Sequence, residues 1–153
     1  MPDVETNVFT NEPGRVLSVL EKELEDFTTE AGRYLDGKWE ESQFIGFRLK
    51  QGVYGQRQPG VQMIRAKLPF GGVTPEQMEA FGEVAEKHAP LRKGHITTRQ
   101  NFQFHHIPLR KAAEALFILG RAGISTREAC GNTVRNVTGD PWAGVNANEP
   151  FDP

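Results

Sequence analysis

Arg65, Lys67, Arg99, Gln103 and His105 are the residues of this chain whose types and spacing best suit chemistry. Met63, Arg65 and Lys67 alternate with Ile64, Ala66 and Leu68, so in a strand all three point to the same side. Arg99, Gln103 and His105 alternate in the same way with Ile96, Thr98, Phe102 and Phe104, in company with His95, Thr97 and Asn101. A sheet face built from these side chains offers guanidinium forks, a point charge and neutral donors, the groups that bind carboxylates and oxyanions. One pair of unit charges about 4 Å apart is worth on the order of 4 kcal/mol at an effective dielectric near 20. The hydrated side of a half-exposed sheet alternates in the same manner without any ligand. On these residues alone both readings stand.

Other candidate chemistry is thinner. His105 and His106 are adjacent, and neighbouring strand residues point to opposite faces, so the pair is a poor metal site. No metal ligand set is expected. Cys130 has no evident base beside it and reads as a small buried apolar group rather than a nucleophile. The glycines at 52, 55 and 60 and at 71 and 72 lack a phosphate-binding pattern and read as turns.

The elements that must hold the polar face follow from periodicity. Val16, Leu17, Val19, Leu20, Leu24 and Phe27 have helical spacing, which predicts one helix within residues 1–43. The run Phe44-Ile-Gly-Phe-Arg-Leu49 is rich in strand formers and predicts a strand leading into Gly52-Val-Tyr-Gly55, followed by a polar loop from Gln56 to Gly60. A second strand is expected over Val61–Leu68. Thr74-Pro-Glu-Gln77 carries the N-cap, the Pro at N1 and the Gln at N3 of a capping box. Met78, Phe81, Val84, Ala85 and His88 then share one stripe of a helix ending near Ala89-Pro90. His95 to Ile107 returns to period two, with a turn or bulge breaking the register. A last helix over Arg110–Ala122 stops at Gly123. The order β, β, α, β, β, α predicts an α+β ferredoxin-like sandwich, an antiparallel sheet with helices on one face.

Length and composition narrow the classes. With 153 residues the chain holds one ordinary domain, or one domain plus a tail. Its longest purely apolar run, Ala115–Leu119, is far short of the roughly 20 residues a membrane helix needs. The start, Met1 to Phe9, has acids where a secretory signal needs a basic region, so a cytoplasmic location is expected. With one cysteine, neither an internal disulfide nor a four-thiolate zinc or iron–sulfur site can be built from this chain. The net charge of −2 conceals three regions. Residues 1–43 hold 4 basic and 11 acidic side chains, residues 44–135 hold 14 and 6, and residues 136–153 hold 0 and 3. All four histidines lie in the positive centre, which should attract anions.

Four segments in this order carry a resemblance: Gly52-Val-Tyr-Gly-Gln-Arg-Gln58, Met63-Ile-Arg-Ala-Lys-Leu-Pro69, Ile96-Thr-Thr-Arg-Gln-Asn-Phe-Gln-Phe-His105 and Cys130-Gly-Asn-Thr-Val-Arg-Asn-Val-Thr-Gly139. Together they resemble the siroheme-dependent nitrite and sulfite reductases over roughly residues 44–145. The resemblance implies an acidic extension at 1–43, a ferredoxin-like half domain at 44–123 and the truncated start of a siroheme and iron–sulfur domain at 124–153. Enzymes of that family reduce nitrite or sulfite with six electrons from ferredoxin or a flavoprotein. They use siroheme bridged by a cysteine to a four-iron (4Fe-4S) cluster. By motif, Arg65 and Arg135 then correspond to residues facing the substrate anion, and Arg99 and Gln103 to siroheme contacts, with Lys67 and His105 beside them. An arginine-rich pocket suits both a polycarboxylate cofactor and small anionic substrates.

The family's two spaced cysteine pairs, its second half domain and its later lysines are absent from these residues, and Asp140 stands where some members have a cysteine. The implied cofactors are therefore siroheme here and the cluster only in a longer parent enzyme, and this chain alone is expected not to turn over substrate. Its partners would be the substrate anion, the electron donor and the rest of the reductase. A stand-alone module that binds siroheme or an anion without turnover is the competing expectation. Nucleic-acid binding on the positive sheet is opposed by Phe102 and Phe104, which fall on the face away from Arg99 and so leave few rings for stacking.

Overall fold

A computed structural model describes residues 18–145 and 147–151. The predicted helical positions Val16 and Leu17, and the stretch Asn11–Gly14, lie outside them. The elements run α1 (Ser18–Leu35), α2 (Glu41–Lys50), β1 (Val53–Gly55), β2 (Val61–Ala66), a 3-10 turn at Pro69–Gly71, α3 (Pro75–Lys87), β3 (Gly94–Ile96), β4 (Phe102–Pro108) and α4 (Leu109–Arg121). The four strands form one antiparallel sheet in the order β1-β2-β4-β3. Because β2 and β3 both run antiparallel to the strand between them, β2-α3-β3 is a split β-α-β unit, the core of the ferredoxin-like arrangement.

The α+β class holds, with one correction. The run Phe44–Leu49 is not strand but most of α2, and β1 shrinks to three residues. A strand would send Phe44 and Phe47 to opposite faces, whereas a helix puts them on one side. There Phe44 stacks on Tyr34 at 4.2 Å between centroids, and Trp39 tilts against both Phe44 and Phe47. Burying a phenylalanine is worth about 1.5–3 kcal/mol, against a strand-propensity scale spanning about 1 kcal/mol. The tertiary contact wins. α1 supplies Phe27 and Ala31 to the same core, so the acidic extension is packed into the domain, and the expected boundary at 43/44 falls inside α2.

One sheet face is apolar: Val53, Ile64, Ala66 and Phe104 are completely buried in the core beneath the helices. Phe81 of α3 stacks on Phe102 at 4.4 Å, which puts Phe102 and Phe104 under the helices as expected. Both ends of the helical layer are well made. Thr74 and Gln77 form the full capping box at the start of α3, while Met78 of the predicted stripe is half exposed. At the end of α4, Gly123 has φ +72°, and the N–H groups of Gly123 and Ile124 donate to Gly120 and Leu119 in a Schellman closure.

Beyond α4 the chain returns to the sheet. Lys67 N–H donates to the Ser125 carbonyl at 3.1 Å, and Glu128 N–H to the Lys50 carbonyl at 2.7 Å, so residues 125–128 extend the line of β1 past its start. Among the described residues no helix is long and apolar enough to cross a membrane.

Candidate functional site

The opposite sheet face is polar, and pairing sets its layout. Arg65 lies directly opposite Gln103, and Gln103 directly opposite His95, while Arg65 N–H donates to the Gly52 carbonyl at 3.0 Å. One row therefore crosses the sheet as Gly52, Arg65, Gln103, His95. In this row Arg65 donates from Nε and Nη2 to Gln103 Oε1 at 3.1 and 3.0 Å. Gln103 Nε2 then meets His105 Nε2 at 3.0 Å, and His105 Nδ1 lies 3.4 Å from Gln56 Nε2.

A bulge shapes this corner. Gln62 pairs with Ile107 and Ile64 with Phe104, so His105 and His106 together oppose Met63, and His106 has φ +62°. The Gln56 side chain caps the bulge by accepting from His106 N–H at 2.6 Å. Burial, reinforced by His95, His106 and Arg65 nearby, pushes the His105 pKa below its ordinary value.

Over the other end of the face folds the segment after Ile124. Arg65 Nη1 and Arg135 Nη2 both donate to the Ala129 carbonyl, at 3.2 and 3.5 Å. Lys67 Nζ donates to the Val134 carbonyl at 3.3 Å. Asn136 Nδ2 ties this segment to the Leu68 and Arg99 carbonyls at 2.6 and 2.9 Å, and Gln100 exchanges two hydrogen bonds with Gly139. Cys130 is buried, its thiol 3.5 Å from the Gly52 carbonyl. Burial raises its pKa, against the pull of Arg65 and Arg135, which makes it a poor nucleophile.

The structure thus brings Arg65, Gln103, His105, Lys67 and Arg135 to one face. Arg99 differs from its expected place. It sits in the β3–β4 hairpin turn, between Thr97 and Gln100, rather than on a strand, and Gln100 takes the positive φ that closes the turn. Asn101 was also expected on the polar face. It is buried, accepts from Leu68 N–H at 3.0 Å through Oδ1 and holds the turn to the end of β2. Sequence reasoning passed over Gln56, although it lies in one of the four quoted segments, and Ala129, whose contribution is a backbone oxygen with no side-chain signal.

Among the described residues no carboxylate lies within 4 Å of the charged ends of Arg65, Lys67, Arg99 or Arg135. The acceptors of Arg65, Lys67 and Arg135 are carbonyl oxygens, and Arg135 Nε is buried without a hydrogen-bond partner. A cluster of cations satisfied only by neutral dipoles retains its attraction for an external anion. These residues fit a ligand bearing several carboxylates. No group of three or more His, Cys, Asp or Glu side chains that could hold a metal ion occurs among the described residues.

Residues 54–122 match the family described as the nitrite/sulfite reductase ferredoxin-like half domain. The chain carries that half domain. Its relatives agree: it is 31% identical over 136 residues to the chloroplastic ferredoxin–nitrite reductase of Arabidopsis thaliana, an alignment covering 87% of this chain and 23% of that one. Against the ferredoxin–nitrite reductase of Synechococcus elongatus identity is 34% over 94 residues, 61% of this chain and 18% of that one. Against the sulfite reductase [NADPH] hemoprotein beta-component of Shewanella sp. (strain ANA-3) it is 37% over 79 residues, 52% and 14%. The NirA protein of Mycobacterium tuberculosis shares the fold, with a TM-score of 0.70 at 24% identity, over 92% of this chain and 30% of that one. The half domain and its flanks span about a fifth of the length of the curated nitrite reductases they match.

Proposed function

We propose that this chain forms part of the cofactor and substrate pocket of a six-electron nitrite or sulfite reductase, with siroheme lying against its polar sheet face. The observation that carries the reading is the convergence of Arg65 and Arg135 on the Ala129 carbonyl with no carboxylate partner among the described residues. Residues 44–123 serve as the half domain, and residues 124–153 belong to the siroheme-binding domain. Siroheme, with its 4Fe-4S cluster held elsewhere in the parent enzyme, would supply the redox chemistry.

The chain's own residues bind and orient. Arg99 in its exposed turn and Gln103 on β4 take cofactor carboxylates, with Lys67 and His105 alongside. Arg65 and Arg135 present N–H donors to nitrite or sulfite and stabilise the negative charge that accumulates on the oxygens during reduction. Electrons arrive from ferredoxin or a flavoprotein. Binding without turnover is the second reading, favoured by the single, buried cysteine, which leaves no thiolate set for a cluster.

Siroheme titration of the chain, followed by visible absorbance, tests the proposal. Saturable binding that Arg99→Ala weakens about tenfold is expected, with Arg65→Ala instead lowering affinity for nitrite or sulfite. Equal siroheme and anion affinities in the wild type and both variants would overturn it. Turnover with reduced ferredoxin, in a parent chain carrying the cysteine pairs, separates the catalytic reading from the binding one.

A further inference from the structure

His105 stands between two side-chain amides whose orientations are dictated from outside. Arg65 has only donors, and two of them point at Gln103 Oε1, so the NH2 group of Gln103 must face His105 Nε2. A backbone N–H has only a proton to give, and that of His106 points at Gln56 Oε1, so the NH2 group of Gln56 must face His105 Nδ1. Both ring nitrogens therefore meet donors. A neutral imidazole can accept at one of them, and the 3.0 Å contact with Gln103 is the hydrogen bond. The ring proton is left for Nδ1, beside the longer 3.4 Å approach of Gln56.

We infer that His105 is a positioning residue for Arg65: as a neutral Nδ1–H ring it accepts from Gln103 and keeps the Gln103 oxygen turned toward the guanidinium. This rests on the reading of Arg65 as an anion-binding residue. A second ring proton would face the Gln103 NH2, and relief requires that amide to rotate, which turns its NH2 against Arg65 and frees the fork. The groups facing the ring are Arg65 on β2, His95 on β3, His106 on β4 and Gln56 after β1, and none is acidic. The same surroundings that depress its pKa hold the ring neutral near pH 7. The consequence runs against simple charge counting. On acidification the face gains positive charge, yet Arg65 loses its aim, so affinity for nitrite should fall.

The test combines long-range 1H–15N spectra of the histidine-labelled chain with nitrite titrations of the wild type, Arg65→Ala, His105→Leu and His105→Gln at pH 7.5 and 5.5. The spectra should show His105 neutral with its proton on Nδ1 at pH 7.5. Nitrite affinity should drop about tenfold in His105→Leu, and His105→Gln, whose amide oxygen reaches the Nε2 position, should recover most of it and remove the fall at pH 5.5. An Nε2–H or charged ring at pH 7.5 overturns the inference. So does a His105→Leu variant that binds nitrite like the wild type while Arg65→Ala does not. If Arg65→Ala leaves nitrite binding unaltered, or the wild type does not bind it, the anion reading of Arg65 fails, and an Nδ1–H ring still establishes the hydrogen-bond direction.

Discussion

The guanidinium groups of Arg65 and Arg135 share one acceptor, the carbonyl oxygen of Ala129, at 3.2 and 3.5 Å. Seventy residues apart in sequence, they are brought side by side because residues 124–136 fold back across the sheet. Two like charges at such an approach repel, and the carbonyl dipole offsets only part of that. On the proposed reading, an anion bound between them would offset the remainder.

Shared placement makes the two arginines interdependent. Arg65→Ala and Arg135→Ala should each weaken nitrite or sulfite binding, and the double variant should lose less than the product of the single losses. Removing one guanidinium relieves its neighbour and leaves the Ala129 oxygen free to hold it alone. Isothermal titration of the four proteins measures this coupling. Strict additivity would show that the two side chains act on separate ligands.

Gly52 is the hinge that permits this arrangement. It has φ +73°, and a Cβ there would lie 2.0 Å from the Thr126 carbonyl oxygen. Its own oxygen accepts from Arg65 N–H and from the Cys130 thiol. Gly52→Ala should therefore destabilise the fold by roughly 2–3 kcal/mol and displace residues 126–130. Urea unfolding gives the first number. Reaction of Cys130 with a thiol reagent in native buffer reads the second and should be slow in the wild type and faster in the variant.

Acid should weaken the fold through two histidines. Burial lowers the pKa of His88, whose Nδ1 is buried without a partner, and that of His105. With native pKa values below the unfolded value near 6.5, the unfolded chain binds more protons in the intervening range. Stability is then full above about pH 6.5 and is lost as pH falls toward the native values. Glu83, held low by its hydrogen bond from Lys87, acts only below the ordinary carboxylate range. Melting temperatures between pH 7.5 and 5 should therefore decline, and His88→Gln with His105→Gln together should flatten the decline. An unchanged slope in the double variant would assign the acid sensitivity to other groups.

Much of this was legible in the chain itself. The capping box at Thr74, the end of α4 at Gly123, the strand at Val61–Ala66 and the burial of Phe104 and Cys130 each depend on neighbours a few residues away or on side-chain polarity. Local interactions of that kind act through fixed periods, so the sequence alone determined the α+β class, the positive centre and the place of Arg65 on a strand. The tertiary structure decided the rest. Phe44 and Phe47 became helical because Tyr34, Phe27 and Trp39 offered an aromatic cluster that only a helix could meet from one side. Arg99 left the strand because Thr97 and Gln100 close a turn there. Arg135 reached Arg65 through the Ala129 carbonyl, 64 residues from Arg65, and Gln56 reached His105 across 49 residues. Such contacts join residues far apart in sequence, which no local period links.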